Sequence, residues 1–287
     1  MYKIYVVLLN YNGYNDTKEC IESILKGQNN MYFNINICVV DNDSTQEERK
    51  LLFNLKNKIK NLDIIFNNTN EGYAKGNNIG ISFAIKNQAD YIWVLNNDVT
   101  VEENAVNELI KSAKNSEAFF STKIYDYYYR NELQYFGADI VGKKFDIYFN
   151  KIDGKINRNS DFISGTLIFA HRNLWEKYKL PEEYFLYEED TDSSLYLKEN
   201  NIPIIIVANA KIFHKGSVST NKLSWMQHYY FQRNKLILIK KYSKNPWKSY
   251  FFIKKFIIFP CITLRRYIKG IIFNNEYRYL AKYEWMA

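Results

Sequence analysis

Short apolar runs alternate with longer amphipathic stretches through the first 115 residues, and each change of period marks a change of element. Ile4 to Leu9 reads as a buried strand, and Asp16 with Glu19 three positions later forms a capping box that opens a helix to about Lys26. Ile35 to Val40 predicts a second strand, followed by a helix capped by Ser44 or Thr45 and running through Leu55. Asp63 to Phe66 is a third strand and Lys75 to Asn87 a helix. Tyr91 to Leu95 is a fourth strand, and Glu102 to Lys114 a helix with acids in its first turn. This order predicts an α/β fold, a mainly parallel sheet with helices on both faces.

Beyond Ala118 the rhythm changes. Tyr125 to Tyr129 and Asp146 to Phe149 read as hairpins and loops, Phe162 to Ala170 as a strand, Glu182 to Asn200 as an acidic helix and Ile202 to Val207 as a strand. Leu223 to Tyr242 predicts another helix, and Trp247 to Ile272 one or two more. At 287 residues the chain accommodates one large α/β domain with an appendage, or two modest domains. Cys20, Cys38 and Cys261 are an odd number without metal-type spacing, and they read as buried thiols in a reducing compartment. The run from Met1 to Asn10 lacks a small-residue cleavage site and is too short to span a bilayer, so it reads as the first strand of a cytoplasmic protein.

Charge divides the chain. Residues 222–287 hold 14 Lys and Arg against Glu276 and Glu284, a balance of +12, which leaves −4 of the total +8 for residues 1–221. In the tail the cations alternate with aromatic and aliphatic groups, as in Tyr250 to Phe259. That pattern fits an interfacial helix on anionic lipid better than a nucleic-acid groove, and a core-packing helix with a solvated basic face produces it too. Lys254, Lys255 and Pro260 interrupt the run and argue against a transmembrane helix.

The candidate chemistry sits where strands end. Tyr91 to Asp98 is an apolar strand closing in Asn96, Asn97 and Asp98, where a carboxylate can meet a divalent cation carrying a diphosphate; a turn or helix cap uses the same residue types. Asn10-Tyr11-Asn12 follows the first strand. Asp41-Asn42-Asp43-Ser44 follows the second, where a carboxylate can accept the imide N–H of a uracil or thymine ring. Asn70 to Asn78 follows the third, with Gly72 and Gly76 allowing close backbone approach at a helix start suited to an anion. Glu188-Glu189-Asp190-Thr191-Asp192 is a further acidic cluster, in which mutual repulsion in a cleft raises at least one pKa; a solvated helix N-terminus accounts for the same residues. His214, at a strand end beside Gly216, is a metal candidate.

In this order, with Ser164-Gly165-Thr166, these segments resemble the inverting family 2 glycosyltransferases of GT-A fold, particularly their rhamnosyltransferase-like branch, over residues 3–245. Tyr229 to Lys235 is similar to the aromatic, Arg-Asn helix that follows the catalytic domain in that branch. The resemblance implies a Rossmann-like, mainly parallel mixed sheet over residues 1–221 that binds the nucleotide-sugar, and a helical C-terminal extension over 222–287 that contacts the membrane. It implies that Asp41 reads the base and that Asn10, Tyr11, Asn12, Asn42, Gly72, Tyr73, Lys75, Gly76, Asn77 and Asn97 line the donor. Asp98 and His214 would hold Mn²⁺ or Mg²⁺. Asp190 would be the catalytic base with Glu189 its neighbour, and Ser164, Gly165, Thr166 and Glu188 would face the sugar or acceptor. Asn96-Asn97-Asp98 keeps only one carboxylate of the family's metal motif, and the Arg often found a few residues after Asp192 is absent, with Tyr196 and Lys198 nearby.

The implied reaction moves a sugar from a UDP- or dTDP-linked donor to a hydroxyl of a glycan or lipid-linked acceptor in surface polysaccharide or glycolipid synthesis. It would take place at the inner face of the cell membrane, without nucleic acid as partner. A sugar-nucleotide pyrophosphorylase would want a Gly-rich, basic loop after the first strand, which Asn10 to Tyr14 does not supply. A dinucleotide oxidoreductase would need G-x-G-x-x-G there. A catalytically inactive, carbohydrate-binding relative is the non-enzyme alternative.

Overall fold

The computed structural model describes residues 1–27, 32–114, 116–142, 144–216, 225–244 and 252. The chain opens with β1 (Tyr2–Asn10), α1 (Tyr14–Lys26), β2 (Phe33–Asp41), α2 (Gln46–Lys56), β3 (Leu62–Phe66), α3 (Gly72–Lys86) and β4 (Tyr91–Asn96). It continues through β5 (Val99–Val101), α4 (Ala105–Ala113), β6 (Phe119–Asp126), β7 (Leu133–Tyr135), β8 (Ala138–Val141) and β9 (Asp146–Phe149). Then come β10 (Arg158–Asn159), β11 (Leu167–His171), α5 (Arg172–Lys177), α6 (Glu189–Glu199), β12 (Ile204–His214) and α7 (Trp225–Tyr242).

The chain divides into two units, the larger comprising Met1–Ile140, Ile147–Phe185 and Glu189–Val218. Its main sheet runs β10-β12-β6-β11-β4-β1-β2-β3, with β5 also paired to β12 and β7 to β6. β1 is parallel to β2 and β4, β2 to β3, and β6 to β12. β11 runs antiparallel between β4 and β6, so the sheet is mainly parallel at its centre and mixed beyond. Strand order reverses around β1, and register sets Asn10 beside Asp41 and Leu9 beside Asn96. The polar strand ends therefore share one edge, where ligands of open α/β sheets bind.

Central strands covered on both faces must be apolar throughout, which is why Ile4, Val6, Val7 and Leu8 and again Ile92, Trp93 and Val94 have no exposed surface. α3 lies close enough to β1 that a Cβ at Gly80 would come within 2.3 Å of Val7 Cγ1, and one at Gly76 within 2.5 Å of Leu9 Cδ1. Those two glycines serve the packing of helix on sheet. Cys20 and Cys38 are buried thiols, and burial pushes the Cys38 pKa up to about 12.

Several elements differ from the sequence expectation for identifiable reasons. Asp16 and Glu19 form no capping box: α1 starts at Tyr14 after Gly13, with no side-chain cap, and the Tyr14 amide donates to Glu48 Oε2 at 2.7 Å. The expected helix from Glu182 shortens to Glu189–Glu199, since Tyr187 and Glu188 take positive φ (68° and 69°) and no helix passes through them. The strand expected to end at Val207 continues to His214, past a register shift between Val207 and Lys211. β5 is absent from the sequence reading, because three residues pairing with a distant strand carry no period of their own. Thr45, not Ser44, caps α2 by accepting from Glu48 N–H.

The smaller unit comprises Val141–Asp146, Leu186–Glu188 and Ser219–Ala287. Within it, buried Asn234 of α7 donates through Nδ2 to the carbonyls of Leu186 and Tyr187, both at 2.7 Å, and the Tyr187 ring stacks on Phe231 at 4.2 Å. The helices expected from Trp247 to Ile272, and Cys261, lie outside the described residues. Among the described residues, no helix is long and apolar enough to cross a membrane.

Candidate active site

Asn10 closes β1 without exposed surface and binds in three directions. Its Nδ2 donates to Asp41 Oδ1 (2.9 Å) and Ser44 Oγ (3.1 Å), and its Oδ1 accepts from Thr17 Oγ1 at 2.8 Å. Thr17 in turn accepts from Asn97 Nδ2 at 3.0 Å, so a hydrogen-bonded chain Asn97, Thr17, Asn10, Asp41 ties the ends of β4, β1 and β2 together. Asn12 joins it through Ser44 Oγ and the Thr45 amide, while Tyr11 projects with 56% of its surface exposed, a ring available for stacking.

Asp41 is wholly buried, and its carboxylate already receives Asn10, the Ser44 amide (3.2 Å) and Arg49 Nε at 3.0 Å. Arg49 also donates to Asp43 at 3.3 Å and to the Asn67 carbonyl, with its guanidinium 5.5 Å from the centroid of the Phe66 ring. An imide approaching Asp41 meets a carboxylate whose charge is shared with Arg49. Sequence reasoning missed this arginine, since one cation on a helix face carries no motif.

Asn42 is a knot in the fold. Its Oδ1 accepts from Asn67 Nδ2 and the Glu71 amide, both at 3.0 Å, and its Nδ2 donates to Asn70 Oδ1 (2.8 Å) and the Gly72 carbonyl (3.3 Å). Gly72 has φ of 78°, and a Cβ there would lie 2.4 Å from the Phe185 carbonyl, so only glycine fits. The amides of Glu71, Gly72 and Tyr73 go to Asn42, Asn70 and Phe185 respectively. The start of α3 thus spends these amides inside the fold, where the sequence suggested an anion. Lys75 pairs with Glu71, and Asn77 is buried with Nδ2 on the Tyr73 carbonyl.

After β4 the chain turns at Asn97 and Asp98 into β5, which pairs antiparallel with β12 and sets Val99 opposite His214. Asp98 Oδ1 consequently lies 3.3 Å from His214 Nε2, both side chains partly exposed. Two side chains 116 positions apart in the sequence, each singled out there, meet at one point. Among the described residues no group of three or more His, Cys, Asp or Glu could hold a metal. One carboxylate and one imidazole nevertheless suit an ion that draws its remaining ligands from phosphate oxygens and water, as Mg²⁺ and Mn²⁺ do.

Asp190 stands in the first turn of α6. Its Oδ1 accepts the Thr191 amide at 2.8 Å and its Oδ2 the Gly165 amide at 3.4 Å. Tyr73 clamps the same turn by donating its hydroxyl to the Gly165 carbonyl. Burial pushes the Tyr73 phenol well up, and the negative charges of Glu189, Asp190 and Asp98 add to the effect. Ser164 Oγ bonds Thr166 Oγ1 at 3.1 Å, and the Thr166 carbonyl accepts the Asn96 amide at 3.0 Å, joining the Ser164-Gly165-Thr166 turn to the end of β4. The acidic cluster is dispersed by its partners: Asp192 takes the Tyr184 hydroxyl at 2.8 Å, and in the smaller unit Glu188 lies 3.5 Å from Lys235.

The profile of the family described as Glycosyl transferase family 2 matches residues 5–179, from β1 to just past α5. The chain belongs to glycosyl transferase family 2. Among curated relatives it is 24% identical over 231 residues to an uncharacterized glycosyltransferase of Haemophilus influenzae, covering 76% of this chain and 85% of that one. It is 26% identical over 235 residues to the glycosyltransferase GlyG of Streptococcus pneumoniae serotype 4, covering 77% and 75%. The fold is that of GT-A glycosyltransferases. It is similar to GalNAc-T7 solved with UDP, GalNAc and Mn²⁺ (TM-score 0.67, 15% identity), covering 87% of this chain and half of that one. The mannosyltransferase PcManGT from Pyrobaculum calidifontis, solved with GDP-Man and Mn²⁺, matches with TM-score 0.60 and 12% identity over 85% of this chain and 66% of its own. TarS 1-349 of S. aureus in complex with UDP matches with TM-score 0.53 and 15% identity, covering 86% and 68%.

Proposed function

We propose that this family 2 glycosyltransferase transfers a sugar, with inversion, from a nucleoside-diphosphate donor to a hydroxyl of a glycan or lipid-linked acceptor, and that it belongs to the rhamnosyltransferase-like branch. The observation that carries the reading is the meeting of Asp98 and His214 at 3.3 Å beside the turn whose Gly165 amide reaches Asp190. The Mn²⁺ and nucleotides in the solved GalNAc-T7 and PcManGT structures support a metal-dependent donor site.

In this reading Asp98 and His214 would hold Mn²⁺ or Mg²⁺, and the ion would supply positive charge to offset that developing on the departing diphosphate. Asp190 accepts the proton of the acceptor hydroxyl. The hydroxyl oxygen bonds the anomeric carbon from the face opposite the diphosphate, the carbon–oxygen bond to the diphosphate breaks, and its electron pair leaves with the phosphate. One displacement gives one inversion. Tyr11, exposed over 56% of its surface, stacks on the base, whose imide meets the Asp41 and Arg49 pair.

The test is nucleotide release from UDP-, dTDP- and GDP-sugars with Mn²⁺, Mg²⁺ or EDTA. Release from one donor, abolished by EDTA, is expected; no release and no nucleotide binding across the panel would sink the reading in favour of an inactive relative.

We further propose that residues 1–221 perform the transfer and that residues 222–287, with their balance of +12, hold the enzyme against an anionic membrane where a lipid-linked acceptor lies. A chain ending at Tyr242 is expected to lose most of its binding to phosphatidylserine-containing vesicles. Undiminished binding by the shortened chain would refute this role.

A further inference from the structure

Helix α1 reaches the metal end of the sheet through one lysine. Lys215, directly after His214, sends its Nζ to Asp16 Oδ1 at 2.6 Å and Glu19 Oε2 at 2.7 Å, and its side chain is only 16% exposed. Burial alone would lower its ammonium pKa, but the hydrogen bonds to Asp16 and then Glu19 carry it above the ordinary lysine value, so it is a permanent cation. Tyr127 completes the cage: its hydroxyl donates to Glu19 Oε1 at 2.6 Å, and its ring centroid lies 4.9 Å from Nζ.

The main chain of the same segment ties directly to the candidate ligands. The Lys215 amide donates to the Asp98 carbonyl at 3.0 Å, and the Tyr127 amide donates to the His214 carbonyl, also at 3.0 Å. From the other side α1 contributes Thr17 to Asn97 and Cys20 Sγ to the Asn96 carbonyl. Gly216 follows with φ of 62°. Lys215, directly after β12, thus pins the end of that strand to the helix that also holds the Asn96-Asn97-Asp98 turn.

We infer that Lys215 is a positioning residue: by anchoring the end of β12 to Asp16 and Glu19 of α1, it keeps His214 and Asp98 at the spacing that binds a divalent cation. The inference rests on the proposal that Asp98 and His214 are the metal ligands. Asp16, Glu19 and Lys215 sum to one negative charge, so the cage also favours a cation nearby. Residues supporting metal ligands from behind change metal affinity by about 10–100-fold when removed.

Binding of Mn²⁺ in the presence of UDP, followed by the electron paramagnetic resonance of free Mn²⁺, tests this without relying on turnover. Lys215→Met is expected to weaken Mn²⁺ at least tenfold with UDP binding in EDTA unchanged. Lys215→Arg, which can still pair with both acids, should recover most of the affinity. Asp16→Asn with Glu19→Gln removes the anchor from the other side and should reproduce the loss, which covers the case in which Lys215→Met fails to fold. Weak Mn²⁺ in Asp98→Ala but native affinity in both anchor variants would overturn the role of Lys215 alone. Wild type that takes up no Mn²⁺ would remove the metal reading, and the inference with it.

Discussion

Asp190→Asn should leave donor binding intact and lower turnover by about 10²–10⁴-fold, the usual worth of a positioned general base. The substitution keeps the shorter of the two bonds: a carboxamide oxygen can still accept the Thr191 amide that Oδ1 takes at 2.8 Å, while the longer bond from the Gly165 amide to Oδ2, at 3.4 Å, is lost. What disappears is the capacity to take a proton. The acceptor hydroxyl, with a pKa far above neutrality, must then transfer its proton to water while bonding to the anomeric carbon. In the proposed site donor affinity would depend on the strand ends at Asn10, Asp41 and Asp98, and the asparagine leaves these untouched. Equilibrium titration of nucleotide-sugar, set beside kcat in the same preparation, separates the two. Turnover within threefold of wild type would move the base elsewhere, and lost donor binding would make Asp190 a donor residue.

Much of the frame behind that prediction was legible because central parallel strands must be apolar on both faces. Runs such as Ile4 to Leu9 and Tyr91 to Leu95 have few other destinations, and the polar residue that ends each run falls at the ligand edge. Asp98 and His214 stood out for that reason, although their meeting required β5, whose Val99 pairs with His214 over a distance no local pattern encodes.

The failures have a common physical origin. Asp16 and Glu19 have the spacing of a capping box, but their partner is Lys215, 196 positions beyond Glu19, and a partly buried ammonium competes better than a helix end for two carboxylates. Asn42 and Asn77, expected to line the donor from their place in polar loops, also brace the fold, Asn42 through both ends of its carboxamide and Asn77 through Nδ2. Carboxamides serve turns and ligands with the same atoms, so composition at a strand end finds the edge of the sheet without saying which side chain faces outward. Arg49 shows the converse, a residue with no sequence signature that shares the charge of the Asp41 carboxylate.

Asp98→Ala carries the other large expectation: EDTA-sensitive nucleotide release falls by about 10²–10³-fold, and what remains no longer depends on Mn²⁺. Asp98 is the one carboxylate of its turn, and its neighbours Asn96 and Asn97 offer only neutral carboxamide oxygens, weaker ligands for a hard divalent ion. His214 then stands as a single neutral donor, too little to hold a hard ion against water. Asp98→Asn sharpens the test, because it retains the size and a carbonyl oxygen while removing the charge. If the metal is held by charge, the amide variant behaves as alanine does. His214→Ala should give a smaller loss, since the phosphate oxygens and the carboxylate remain. Combining the two substitutions should cost little more than Asp98→Ala alone, for groups that act as a unit are non-additive. Losses that instead multiply in the double variant would show two independent roles and dissolve the shared metal centre, leaving the 3.3 Å contact as an ordinary polar contact at the end of the sheet.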